Sequence, residues 1–349
     1  MNIAILPSKW SKWFVAGILS GTALCPAATA VAQSTPAQCL LALSKNDHTL
    51  AIVDPATLKV IAKMPVGTDP HEVIASADGR TAYVSIYGGG SLHEIDVLDL
   101  VAQKPSTPVD TRPFLGPHGL IFAGGKVWFT AEGSKCVTRY DPATRQFDWA
   151  MGTGQDRTHM LFVTDDEKTV YTTNVSSGTV SILTDTIIRA GGPPGAPPRH
   201  DWKQTVIPVS RGSEGFDVSP DGRQLWTASA GDGTIAVIDL ATKTVVQKID
   251  AGVRGANRLK FTPDGKSVLI TSLSNGDLVI YDAATRKESH RVKIGNGAAG
   301  ILIDPTGSRV FLGCTGDNYV AVVDLKTMKM TARIDVGGGP DGLAWAIRH

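Results

Sequence analysis

Net charge is nearly absent from this sequence. Its 349 residues carry 34 Lys and Arg against 33 Asp and Glu, a formal balance of +1. That balance excludes a bulk electrostatic pull toward nucleic acid or strongly acidic partners. No basic stripe with interleaved aromatics is present either, which counts against a dedicated nucleic-acid binder. Cysteine is scarce, at four residues, and no C-x-x-C occurs. A disulfide framework and a thiolate zinc site are thereby set aside. Cys39, Cys136 and Cys314 read instead as small buried apolar residues. Beyond residue 32 no apolar run is long enough to cross a bilayer. No G-x-S-x-G and no phosphate loop appears.

Glycine (37) and proline (20) are plentiful, which suits an all-β chain with many tight turns. The N-terminus reads as a secretory signal over residues 1–32. Lys9 and Lys12 precede the apolar stretch Trp13 to Leu24, and Ala30-Val31-Ala32 supplies a small-x-small cleavage pattern before Gln33. An uncleaved anchor is the alternative, disfavoured by the length and flanks of the apolar stretch. The expected mature chain starts near Gln33 and works outside the cytoplasm, periplasmic or secreted. Leu24 before Cys25 argues against a lipid anchor.

A short motif recurs along the rest: Asp69-Pro70-His71-Glu72-Val73, Gly116-Pro117-His118-Gly119-Leu120, Arg157-Thr158-His159-Met160-Leu161. The same column continues with Glu214, Asn257, Ala299 and Asp341, at intervals of 47, 41, 55, 43, 42 and 42 residues. Between these points run short β-branched strands and D-G turns at Asp78, Asp221 and Asp264. A third strand in each repeat closes on an aspartate: Asp54, Asp96, Asp141, Asp239, Asp282 and Asp324. Those aspartates are expected to accept hydrogen bonds from turn N–H groups. A period of about 40–45 residues with four strands per unit predicts propeller blades.

Seven such motifs predict an all-β, seven-bladed propeller of four-stranded antiparallel blades, occupying residues 33–349 as a single domain. The last motif stops almost at His349 and the first repeat lacks its own rim strand, so the N- and C-terminal strands should pair to close the ring. The 55-residue interval marks a Pro/Gly-rich insertion at about 186–202, between the third and fourth strands of its blade.

Tyr171-Thr172-Thr173-Asn174 with Gly178-Thr179-Val180-Ser181-Ile182, and Tyr83-Val84-Ser85, resemble the motif of YVTN-repeat propellers, which include YncE-like periplasmic proteins. The resemblance covers essentially the whole mature chain and implies a secreted propeller. Other repeats depart from the motif, as in Trp128-Phe129-Thr130-Ala131 and Leu225-Trp226-Thr227-Ala228, so no family binding site is carried over.

In a propeller one motif position becomes a ring at the channel mouth. His71, His118, His159 and Glu214 would then stand on four consecutive blades, a donor set suited to a divalent transition metal such as Zn, Mn, Fe or Cu. Glu214 is either a ligand or a general base. Asn257 and Asp341, with Arg157, Arg211, Arg254 and Arg258 in adjacent loop positions, would receive a small anionic, carboxylate-bearing ligand or pair with local acids. Tyr87, Glu132 and Asn174 are outer-rim candidates. His48, His93, His200 and His290 fit no column and read as structural or solvated. Two functions follow: a metal-dependent hydrolase, lactonase or lyase, for which other propellers offer a fold-level precedent, or a non-enzymatic envelope scaffold binding protein or nucleic-acid partners on its faces.

Overall fold

The computed structural model describes residue 1, residues 33–188 and residues 199–348. The signal-peptide reading of 1–32 and the Pro/Gly-rich centre at 189–198 lie outside the described residues. The chain divides into units 1–32 and 33–349, and all that follows concerns the second. No helix among the described residues is long and apolar enough to cross a membrane.

Seven antiparallel sheets form the blades of a seven-bladed all-β propeller. We number them from the closing blade. Gln38–Ser44 pairs with Pro340–Ile347, Leu41 opposite Ala344, so strands from the two ends of the chain share blade 1. The ring therefore closes by hydrogen bonds and leaves no open sheet edge there. The innermost strands, blade by blade, are Pro340–Ile347, Pro70–Ala75, Pro117–Ala123, Thr158–Val163, Ser213–Val218, Ala256–Phe261 and Ala298–Ile303.

Burial follows position within a blade. A middle strand such as Thr234–Asp239 (TIAVID) is covered on both faces and reads as a continuous apolar run. An outer strand such as Thr244–Asp250 (TVVQKID) alternates half-buried and exposed, the period of a half-solvated strand. The cores lie between blades. Trp226 of blade 5, fully buried, meets Phe261 of blade 6 edge-on at 5.9 Å. Burying each such side chain contributes about 1.5–3 kcal/mol. Cys39, Cys136 and Cys314 are buried and unpaired, as their spacing predicts.

One expectation needs correction. Asp54, Asp141, Asp239, Asp282 and Asp324 do accept from turn N–H groups, but Asp96 does not. In blade 2 the third strand runs on to Asp99, whose carboxylate takes Val101 and Ala102, while Asp96 takes the Gly67 N–H instead. The insertion at about 186–202 lengthens the outer hairpin of blade 4. Thr179–Ile188 and Arg199–Pro208 form one long ribbon paired out to Ile188 opposite Arg199. Among the other histidines, His48 lies in the turn after Gln38–Ser44, and His200 in an outermost strand.

Candidate functional site

One hydrogen-bond pattern repeats at the mouth of every blade. The residue two before each rim position adopts the left-handed conformation: Asp69, Gly116, Arg157, Gly212, Gly255, Gly297 and Gly339. Its carbonyl accepts from the residue just past the second strand, respectively Tyr87, Glu132 (Gly116), Val175, Ala230, Leu273, Thr315 and Lys45. Two columns of side chains are thereby tied around one opening. Glycine suits the left-handed position; Asp69 and Arg157 occupy it with side chains that reach into the site, at a backbone cost of about 1–2 kcal/mol each.

Hydroxyls in the second strands fix the rim itself. Thr130 donates to the His159 carbonyl, Thr173 to that of Glu214 (2.7 Å) and Thr271 to that of Ala299 (2.9 Å), each reaching from one blade to the next. The residue after the rim is glycine in four blades. A Cβ at Gly119 would sit 2.5 Å from the His159 carbonyl oxygen, and one at Gly342 equally close to that of His71. At this layer adjacent inner strands pack backbone to backbone.

The rim brings His71, His118, His159 and Glu214 into one row. His118 Nε2 lies 3.1 Å from His71 Nδ1, and the His118 and His159 rings touch with centroids 3.8 Å apart and planes tilted by 34°. His159 is clamped between two carboxylates, Glu132 on Nδ1 and Glu214 on Nε2 at 2.9 Å. Both acids only accept, so both ring nitrogens donate and the imidazole is a cation. Burial alone would lower the His159 pKa, but the hydrogen bonds and charges of Glu132 and Glu214 outweigh it and raise it. Burial lowers His118 well below the ordinary value, and the neighbouring His159, His71, Arg258 and Lys45 add to the effect. Two histidines in face contact, each 2 % exposed, are thus held in opposite charge states.

The flanks complete the electrostatics. At one end Lys45 Nζ (2.8 Å) and Asp69 Oδ1 (3.0 Å) both reach His71 Nε2. If Lys45 donates there, His71 Nδ1 donates on to His118; if His71 donates to Asp69, His118 donates to His71. The row therefore has two proton arrangements. His118 Nδ1 is buried and without a partner in either. At the other end burial would raise Glu214, yet the hydrogen bond and charge of His159, with Arg258 and Arg157, hold it at about 2. Glu132, 6 % exposed, is likewise kept ionised despite its burial by His159, by a hydrogen bond from Tyr87 and by Arg157. It is the histidine's buried partner rather than a solvated loop acid.

A cavity of about 390 Å³ lies over this row, within the range of small-molecule sites. Of the residues singled out from sequence, His71, His118, His159, Glu214, Arg157, Asn257, Asp341 and Tyr87 line it. Arg211 and Arg254 stand exposed outside it, and Asn174 is buried within its sheet against Thr158 and Ser181. Arg258 is not a loop residue: it lies on the inner strand Ala256–Phe261 and pairs across the bore with Glu72 of blade 2. The rim column alone could not reveal Lys45, Asp69, Glu72 or Arg258. Reading the neighbouring columns would have done so, since Glu72 and Arg258 are the charged residues in a layer otherwise made of glycines and Met160. Among the described residues, no group of three or more His, Cys, Asp or Glu is arranged to hold a metal ion.

A family model described as the cytochrome D1 heme domain matches residues 160–313. No curated protein matches the chain. Among solved structures, a functionally unknown protein from Desulfotomaculum acetoxidans shares 10 % identity, covering 88 % of this chain and 98 % of its own, with a TM-score of 0.70. A proposed 6-phosphogluconolactonase of Bacteroides uniformis shares 15 % over 88 % and 99 %, TM-score 0.67. Hydrazine synthase of Kuenenia stuttgartiensis shares 20 % over 79 % and 89 %, TM-score 0.64. At these identities the likeness establishes the propeller fold alone.

Proposed function

We propose that the channel mouth is a small-molecule site that hydrolyses a lactone or ester bearing a carboxylate. The observation that carries this reading is the contact of a neutral His118 with a cationic His159, ring centroids 3.8 Å apart. Neighbouring groups driven to opposite protonation states are how one site supplies both a base and an acid at neutral pH. With Nδ1 sealed, His118 takes the proton of the attacking water on Nε2, the atom that otherwise meets His71. The water oxygen bonds to the substrate carbonyl, the bond to the leaving oxygen breaks, and that oxygen takes the proton that His159 Nε2 otherwise gives to Glu214. Glu214, held at about 2, is too weak a base for that step and serves to keep His159 charged. Arg157, with a half-exposed side chain beside Glu132, receives the substrate carboxylate, while Asn257 and Asp341 line the facing wall. The likeness to a propeller described as a phosphogluconolactonase supports the reading at the level of fold.

The test is turnover of a panel of carboxylated lactones and esters by the protein without added metal. His159→Asn should lower kcat by about 10²–10⁴ with KM little changed, the usual range for a positioned acid or base. No turnover of any panel member, with no ligand shifting the melting temperature, would overturn the reading in favour of the envelope scaffold.

A second reading places a divalent transition metal on His71, His118, His159 and Glu214. Its support is the spacing within the row, 3.1 Å for His71–His118 and 2.9 Å for His159–Glu214. Ligand atoms about 2.0–2.1 Å from one zinc ion stand roughly 3.3 Å apart. The surrounding carboxylates Asp69, Glu72, Glu132, Glu214 and Asp341 also outnumber Lys45, Arg157 and Arg258. This reading requires the Lys45 ammonium to leave His71. Elemental analysis of untagged protein decides it: stoichiometric metal lost in His118→Ala supports it, and no metal with no thermal stabilisation by Zn²⁺ or Mn²⁺ removes it.

The cytochrome D1 heme domain match raises a third group, and the residues do not fit it. A haem iron needs an axial donor free to reach it. His200 and His290, within the matched span, lie on exposed outer strands. In the cavity the one imidazole nitrogen without a partner, His118 Nδ1, is sealed from the surface, and the walls carry the charged side chains of Lys45, Arg157, Glu214, Arg258 and Asp341. The extracytoplasmic location rests on Lys9, Lys12 and the Ala30-Val31-Ala32 pattern; N-terminal sequencing of mature protein beginning near Gln33 would support it.

A further inference from the structure

Below the mouth the bore changes character. Arg258 of blade 6 lines the mouth cavity and also a second cavity of about 380 Å³ deeper in the channel, and its ion pair with Glu72 of blade 2 bars the passage between them. Blades 2 and 6 are not neighbours, so the pair spans the bore.

The deeper cavity is lined chiefly by apolar side chains, among them Ile74, Ile121, Met160, Phe162, Leu302 and Trp345. Each is only half buried: one side leans on a core between blades and the other faces the bore. The alternating residues of four of these strands, Val73, Leu120, Leu161 and Ile301, are buried outright. The charged residues at this depth neutralise one another. Glu72 meets Arg258, and Lys260 meets Asp217 at 3.4 Å. Concave apolar surface with self-satisfied charges offers water few partners and matches the lining of ligand cavities rather than of an aqueous pore.

We propose that this channel cavity is a second binding site, distinct from the mouth, for a neutral apolar molecule. It owes nothing to the hydrolase reading, because none of its apolar lining takes part in the chemistry of the rim. The occupant is neutral because a free charge would find no counter-charge left unpaired on these walls. It is apolar because its contacts are aliphatic and aromatic carbon.

The experiment is a fluorescence titration of the full mature protein with N-phenyl-1-naphthylamine, a neutral apolar probe. Saturable, single-site enhancement is expected. Ile121→Trp, which fills the bore, and Leu302→Asp, which charges it, should each weaken binding by about tenfold or more. His118→Ala in the mouth should bind the probe as the wild type does. Melting temperatures verify that each variant is folded, and two independent variants guard against the loss of one. Enhancement that never saturates, or affinity unchanged in a folded Ile121→Trp or Leu302→Asp, would overturn the proposal. So would loss of binding in folded His118→Ala, which would place the probe at the mouth.

Discussion

On blades 2 to 5 the rim position carries His71, His118, His159 and Glu214; on blades 6, 7 and 1 the same position carries Asn257, Ala299 and Asp341. The backbone does not distinguish the two arcs. Both have the left-handed residue two places earlier, the carbonyl tie to the end of the second strand, and a threonine donating to the rim carbonyl of the next blade. What differs is side-chain chemistry alone. The repeated hydrogen bonds make seven equivalent mounting points, and the function is whatever is mounted on them. The quiet arc also answers the busy one, because Arg258 of blade 6 reaches over to neutralise Glu72 beneath the histidine row.

The sharpest way to break this comparison is to remove the bridge between the arcs. Arg258→Ala leaves Glu72 buried and unpaired, which should cost about 3–5 kcal/mol of stability. Chemical denaturation measures it, and Arg258→Ala with Glu72→Gln should recover a large part. A double variant no more stable than the single one would mean that the pair does not carry this load.

Next come the threonine clamps. Thr173→Val and Thr271→Val should each lose about 1–3 kcal/mol by orphaning a buried carbonyl. Only Thr173→Val, which sits behind Glu214, should also lower turnover. Equal loss of turnover in both would dissolve the distinction between the arcs.

A smaller effect has the opposite sign. Asp69→Gly removes a non-glycine side chain from a left-handed position and should raise stability by about 1–2 kcal/mol, less whatever its ion pair with Lys45 contributes. It should at the same time free His71 from one of its two partners and lower turnover. A stability gain with no change in turnover would mean that Asp69 is not tied to function. The left-handed residues Leu58, Arg145, Lys243, Arg286 and Met328 provide the control, since they occupy other turns and touch nothing in the cavity.

The smallest effect is on the pH profile. His159 has a folded pKa raised above the ordinary 6.5, so its contribution is fully present below that value and is lost as pH rises through the raised one. Glu214, depressed from 4.5 to about 2, contributes above 4.5 and loses that contribution as pH falls toward 2. The stability difference between wild type and His159→Asn should therefore shrink on the alkaline side. A difference independent of pH from neutral upward would contradict the cation.

The fold was legible because its signals are local and periodic: D-G turns, β-branched runs and a rim motif every 41–55 residues. The row of histidines was legible for the same reason, being one column of one period. Lys45, Asp69 and Glu72 were not read as site residues, and Arg258 was read as a loop arginine rather than as the partner of Glu72, since these residues belong to adjacent columns and meet only when the ring closes. Glu72 and Arg258 are 186 positions apart in the chain. Asp96 misled because the third strand of blade 2 is displaced along the chain and ends at Asp99, three residues beyond Asp96, before turning. Arg211 and Arg254 were placed by column but point away, and a column fixes a backbone position without fixing a side chain's direction.

The central claim is that two touching histidines at the mouth carry different charge at the same pH. Nitrogen-15 NMR of histidine-labelled protein at pH 7, with His118→Ala and His159→Asn to assign the rings, reads the protonation of each imidazole nitrogen. The account predicts a doubly protonated His159 beside a neutral His118. Two rings titrating together near 6.5, or a neutral His159, would contradict it.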